Sequence, residues 1–135
     1  MGVLKGTTAD GKPLFGVVDS QKYETFSEHS SFPWLLKIHI AMERTTEDGL
    51  PADDEELATL DRFENEVLAA LTSAMTIHNI GHVTGDGSRE VYCYVAAPKA
   101  AHEVLSEMTR HEHVREFQYS IKEDSTWELA AEWGL

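Results

Sequence analysis

The stretch from Gly81 to Tyr94, G-H-V-T-G-D-G-S-R-E-V-Y-C-Y, constrains the fold more than any other part of the chain. Two β-rich runs meet there at Gly-Asp-Gly. Asp-Gly between such runs is the strongest short-range hairpin signal, because both residues accept the positive φ of tight hairpin turns. The runs predict strands at about Ile77–Thr84 and Arg89–Ala96, with Arg89, Glu90, Tyr92 and Tyr94 on the second.

Helical patterns flank this hairpin on both sides. Upstream, Asp53 is placed to cap a helix, with Glu56 at capping-box spacing and acidic residues at the favourable end of the dipole. Leu57, Leu60, Phe63, Val67, Leu71 and Ala74 then recur every three or four residues, which marks a core-facing stripe. Downstream, Pro98 suits a first helical turn, and Ala101, Val104, Leu105 and Met108 form a second stripe. Outside the helices lie two alternating runs. In Trp34–Glu43, Leu36, Ile38, Ile40 and Met42 point one way, opposite Leu35, Lys37, His39 and Ala41. In Glu116–Ile121, Phe117, Tyr119 and Ile121 share a face. The order β-α-β-β-α-β predicts an α+β, ferredoxin-like sandwich, with two helices on one face of a four-stranded sheet. Its strands are expected to be antiparallel except for a central parallel pair, Trp34–Glu43 with Arg89–Ala96.

The remaining segments are additions to that core. Residues 1–32 read as an N-terminal β extension, with a turn at Thr8–Pro13, a strand at Leu14–Val18 and a weaker one at Lys22–Phe26. His29–Pro33 reads as a loop, because Pro33 disfavours helix at the residue before it. Asp124 is placed to cap a short terminal helix bearing Trp127 and Trp133. At 135 residues, 1–135 is expected to be one domain, with 33–135 as ferredoxin-like core plus terminal helix.

Composition restricts the function. Twenty-four acidic against eleven basic residues give a net charge of −13. Such a surface repels phosphate backbones, so no nucleic-acid partner is expected. Ten of the acids fall between Glu43 and Glu66 against two Arg. That segment reads either as a solvated helix face or as a docking surface for a basic protein partner. No apolar run exceeds a handful of residues, which leaves no membrane-spanning helix. The first residues lack the apolar core of a secretion signal, and a single Cys fits a reducing compartment. A cytoplasmic protein is expected.

The hairpin pattern Gly81-x-x-Thr84-x-x-Gly87-x-Arg89-Glu90-x-x-x-Tyr94, followed by Asp124-x-x-Trp127, resembles an uncharacterised bacterial family, domain of unknown function six-nine-five. That family is similar in fold to regulator of ribonuclease activity B. The resemblance covers about Pro33 to Trp133. It implies a ferredoxin-like domain with no defined catalytic residues, and, through the regulator, inhibition of a ribonuclease by protein contact. Gly81, Thr84, Gly87, Arg89, Asp124 and Trp127 are then structural signature residues.

Few residues are placed for chemistry. His78 and His82, four apart, are expected on one strand face near His39. A strand separates such positions by about 13 Å, too far to share a metal ion without a bulge. His111 and His113 flank a helix end, where imidazole complements the dipole. Cys93 alternates with Val91 and Val95 and reads as a buried thiol. Gly-Asp-Gly lacks the Gly-Lys-Ser/Thr ending of a phosphate loop. No catalytic residue, metal or cofactor is therefore expected. The sheet face away from the helices carries Lys37, His39, Glu90, Tyr92 and Tyr94, with Gln118 and Ser120. Either the N-terminal segment packs on this face or extends the sheet, making the tyrosines core, or the face is a binding site. A binding face would take a peptide or protein, or, as an enzyme or ligand-binding domain, use His39, Glu90 and Tyr92. Arg89 is expected on the core side, with Asp124 as its candidate partner.

Overall fold

The computed structural model describes residues 2–18, 29–111 and 115–132. The weak strand expected at Lys22–Phe26, and the positions of His113 and Trp133, lie outside them. The elements are β1 (Gly2–Thr7), β2 (Pro13–Val18), β3 (Trp34–Ala41), α1 (Asp54–Ala74), β4 (Ile77–Gly85), β5 (Ser88–Val95), α2 (Pro98–Arg110), β6 (Phe117–Glu123) and α3 (Glu128–Glu132). A single 3-10 turn, His29–Ser31, precedes β3.

One six-stranded antiparallel sheet runs in the order β1-β2-β4-β5-β3-β6. Its last four strands follow the ferredoxin-like order, as expected. The central pair is not parallel, however: β3 and β5 run antiparallel, from Trp34 opposite Val95 to Ala41 opposite Ser88. The reason is geometric. A crossover through α1 returns β4 parallel to β3 with one strand's space between them. The hairpin then reverses the chain, so β5 enters that gap antiparallel to both neighbours. At the hairpin tip, Asp86 (φ 51°) and Gly87 (φ 82°) take the two left-handed positions of the turn.

The N-terminal segment extends the sheet. Thr8–Lys12 turn β1 back on β2, with Thr8 N–H donating to the Lys12 carbonyl at 2.8 Å. β2 pairs with β4 from Leu14 opposite Gly85 to Val18 opposite Gly81. Gly81 is required there: at φ 142°, a Cβ would lie 2.1 Å from the Val17 carbonyl oxygen. Just before it, the β4–β5 register shifts between Asn79 and Gly81, a bulge that reverses the facing of the strand. His78 consequently contacts Phe32 on one face, ring centroids 4.4 Å apart, while His82 bonds Glu64 of α1 on the other. The two histidines do not share a face. No group of three His, Cys, Asp or Glu able to hold a metal is found among the described residues.

Both sheet faces are covered over part of their area. On the helix side, Leu36, Ile38, Ile40, Val91, Cys93 and Val95 pack against Leu60, Phe63, Val67, Leu71, Ala101, Leu105 and Phe117. The α1 stripe is shorter than its periodicity suggests, since Leu57 and Ala74 are exposed. On the other face, Leu35, Ile80, Tyr92 and Tyr94 meet Trp127 and Ala130 of the C-terminal segment, with Phe32 beside them. Trp127 and Ala130 of that segment cover the tyrosines, while β2 of the N-terminal segment extends the sheet.

Candidate functional site

Four of the five expected binding residues converge. On the sheet face beside the C-terminal cover, the Tyr92 hydroxyl donates to Glu90, and His39 Nδ1 lies 3.4 Å from the same carboxylate. Lys37 Nζ sits 5.9 Å from the Tyr92 ring centroid, within cation–π range. Tyr92 is only 8% exposed. Burial, and then the Glu90 carboxylate, push its phenol well above the usual range and keep it a hydrogen-bond donor. Two shallow depressions flank the group, of about 190 Å³ beside Gln118 and Ser120 and about 280 Å³ beside Thr8 and Leu14. The arrangement is polar and open, suited to hydrogen bonding at a surface.

Tyr94 is not part of this group. Its ring stacks on Trp127, centroids 4.1 Å apart and planes 6° from parallel, and its hydroxyl donates to Asp124 Oδ2 at 2.7 Å. The Asp124 carboxylate also accepts the amides of Glu128 (2.8 Å) and Leu129 (3.2 Å), capping α3. Burial alone would raise the Asp124 pKa, but the Tyr94 hydroxyl and the two amides hold it below its ordinary value. Trp127 precedes α3 in the left-handed region (φ 57°) and donates through Nε1 to the Phe32 carbonyl at 2.9 Å. Tyr94, Asp124 and Trp127 thus clamp the C-terminal segment to the sheet.

Arg89 lies on the opposite, helix-facing side and is 2% exposed. The candidate partner Asp124 is on the wrong face, because adjacent strand residues alternate and Asp124 follows Tyr94 to the other side. Arg89 instead donates to Thr84 Oγ1 (3.0 Å), Glu64 Oε1 (3.1 Å) and Asp61 Oδ1 (2.5 Å). His82 Nδ1 shares Glu64, 2.9 Å from Oε1. A second buried pair joins Arg115 to Glu56, at 2.5 Å from Nη2 to Oε1. Burial pushes the Glu56 carboxyl up, but bonds from Arg115 and the Glu43 amide outweigh it and leave the pKa lowered. Glu56 therefore does not complete a capping box. Asp53 alone caps α1, accepting the Glu56 amide at 2.9 Å.

The Arg89 cluster floors a cleft that reading the sequence did not reveal. Its walls are Phe15 and Val17 of β2, Leu50–Asp53 of the preceding turn, and Asp54 and Leu57 of α1, with His82, Thr84 and Arg89 beneath. At about 500 Å³ it is larger than either depression on the sheet face. The hairpin tip helps to place the wall: Gly87 N–H donates to the Gly49 carbonyl at 2.9 Å, holding the turn that carries Leu50 and Pro51. A partial signal existed, since Glu64 stands four residues after Leu60 and three before Val67, inside the apolar stripe.

Comparison with known proteins agrees with the family resemblance. A profile for the family of unknown function DUF695 matches residues 7–133. The chain belongs to this family. The match begins well before Pro33, so β2 and its wall of the cleft lie inside the DUF695 unit. No curated protein and no solved structure matches the chain. In this DUF695 member the residues of the hairpin and terminal pattern sort into two networks: Thr84 with Arg89 on the helix side, and Tyr94, Asp124 and Trp127 on the other.

Proposed function

We propose that this DUF695 protein is a non-enzymatic interaction domain of the cytoplasm, regulating a basic protein partner by contact at the acidic surface around the start of α1. The observation that carries this reading is how the acids between Glu43 and Glu66 divide. Glu56, Asp61 and Glu64 are tied to Arg115 and Arg89, and Asp53 is the α1 cap. Glu47, Asp48, Asp54 and Glu66 are exposed and make no ion pair among the described residues. Structural demand thus accounts for part of the acid and leaves the rest facing solvent. The similarity in fold to the ribonuclease regulator, which the sequence resemblance implies, fits the same mode of action.

The acid division also determines which substitutions test the reading. Asp61 and Glu64 support Arg89 and must stay, whereas Asp54→Asn, Glu66→Gln and Glu55→Gln, the last at an exposed residue 3.9 Å from Arg44, alter solvent-facing charge. Capture from a lysate of the cells that make the protein, at low and high salt, should retain basic proteins on the native chain and lose them on this triple variant. Retention unaffected by salt and by the variant would overturn the reading.

A second reading rests on the convergence of Lys37, His39, Glu90 and Tyr92. These four would form the polar contact of a small-ligand or enzyme site on the sheet face. Small-molecule binding abolished by Glu90→Gln, with the fold unchanged, would favour it over the first.

A further inference from the structure

Phe15 and Leu57 are the large apolar side chains left substantially exposed among the described residues, at 40% each. They stand 42 positions apart in sequence, on β2 and α1, yet both line the cleft floored by Arg89. Val17, Leu50 and Pro51 join them, so the upper part of the cleft is apolar. Its floor makes little polar demand on a ligand. The Arg89 guanidinium is already engaged by Glu64, Asp61 and Thr84, and His82 Nδ1 by Glu64. Its volume, about 500 Å³, lies within the range of sites that enclose large side chains or small molecules.

Charge selects the occupant. Around the cleft stand Asp53, Asp54, Asp61 and Glu64 against Arg44 and Arg89, an excess of two carboxylates. An acidic ligand meets repulsion there, and so does a second copy of a chain carrying −13. A basic segment meets attraction.

We infer that this cleft is a docking groove for an extended basic peptide segment, which buries one large apolar side chain between Phe15 and Leu57 while its flanking Lys or Arg residues face Asp54 and, beside its contact with Arg44, Asp53. The inference deepens the proposed function, and rests on it, by naming what the basic partner presents. The apolar side chain supplies affinity through area removed from water, and the flanking charges supply orientation and encounter rate. Leu57 at this position also explains why the apolar stripe of α1 continues one turn beyond the buried core.

The test is an amide chemical-shift titration of the full chain with three heptapeptides. The first has a central Leu between Lys pairs with terminal glycines, the second replaces that Leu by Ser, and the third replaces every Lys by Glu. The Leu peptide should bind at least about tenfold tighter than the Ser peptide, as burial of a Leu side chain implies. Its shifts should centre on Phe15, Val17, Leu57 and Thr84, and the Glu peptide should not bind. Leu57→Ser, at a position already exposed, should leave the melting curve in place and bring the Leu peptide down to the Ser peptide's affinity. Equal affinity of the Leu and Ser peptides would overturn the groove and leave docking of a basic partner standing. Tight binding of the Glu peptide would overturn both. Failure of all three at millimolar concentration would overturn the groove, with partner capture then judging the docking reading by itself. Concentration-dependent dimers that Leu57→Ser dissolves would also overturn it, because the groove would then belong to a second copy.

Discussion

Arg89→Met removes a guanidinium from a nearly fully buried position and keeps most of the aliphatic volume. Three contacts go with it, to Thr84, Glu64 and Asp61. The consequences for the two acids differ. The Asp61 side chain is 56% exposed and can be hydrated once its partner is gone. The Glu64 side chain is 10% exposed, so its carboxylate stays inside the protein with His82 as its remaining partner in the cluster. Breaking one side of a buried ion pair typically costs about 3–5 kcal/mol. Hydration of Asp61 and the surviving His82 contact place this case at the lower end, at about 3 kcal/mol. With a urea slope of about 1–3 kcal/mol per molar, the unfolding midpoint should fall by about 1–3 M at unchanged slope. The double variant Arg89→Met/Glu64→Gln should recover a substantial part of that loss, because it removes the stranded charge as well as its partner. Equilibrium urea unfolding followed by tryptophan fluorescence measures both. A single variant within about 0.5 kcal/mol of the native chain, the range of ordinary surface substitutions, would refute the reasoning. A double variant no more stable than the single one would refute it too.

Two further outcomes follow from the C-terminal clamp. Trp127→Ala removes a fully buried indole stacked on Tyr94 and should cost about 3–5 kcal/mol, read as a clear fall in melting temperature. Asp124 has a folded-state pKa below its ordinary value of 3.8, so its contribution is present above that value and is lost as pH falls through the lower, folded one. The stability gap between the native chain and Asp124→Asn should therefore be full at neutral pH and shrink as the solution is acidified below about pH 5. Urea midpoints at several pH values check this, and a gap that widens on acidification would contradict it.

Local periodicity carried most of the architecture. The alternation in β3, the Asp-Gly turn and the two helical stripes each report a short-range rule, and each element forms where its rule places it. Cys93 between Val91 and Val95 is buried for the same reason. What escaped were events that depend on two segments at once. The bulge before Gly81 is a register shift between β4 and β5, and it alone sends His78 and His82 to opposite faces. β1 carries too little alternation to announce itself and is defined by its pairing with β2. The antiparallel β3–β5 pair was legible in principle, from hairpin reversal after a crossover. Lys37, His39, Glu90 and Tyr92 lie together because strand parity suffices to place them on one face. Tyr94 shares that parity but is covered by Trp127, a contact made across more than thirty residues. The cleft is also a tertiary product, assembled from β2, the 50–53 turn and α1 over the Arg89 cluster.

Docking of a basic partner is tested most directly by its association rate as a function of salt. The partner retained by the native chain would be mixed in a stopped-flow instrument with that chain and with Asp54→Asn/Glu55→Gln/Glu66→Gln, over a range of ionic strength. Exposed charges act over about 8–10 Å at physiological salt, and complementary fields speed encounter more than they slow dissociation. The native chain should associate several-fold faster than the variant at low salt, and the two rates should converge as salt rises. Equal rates with equal salt dependence would mean that the acidic surface serves solubility alone, and would contradict the proposed function.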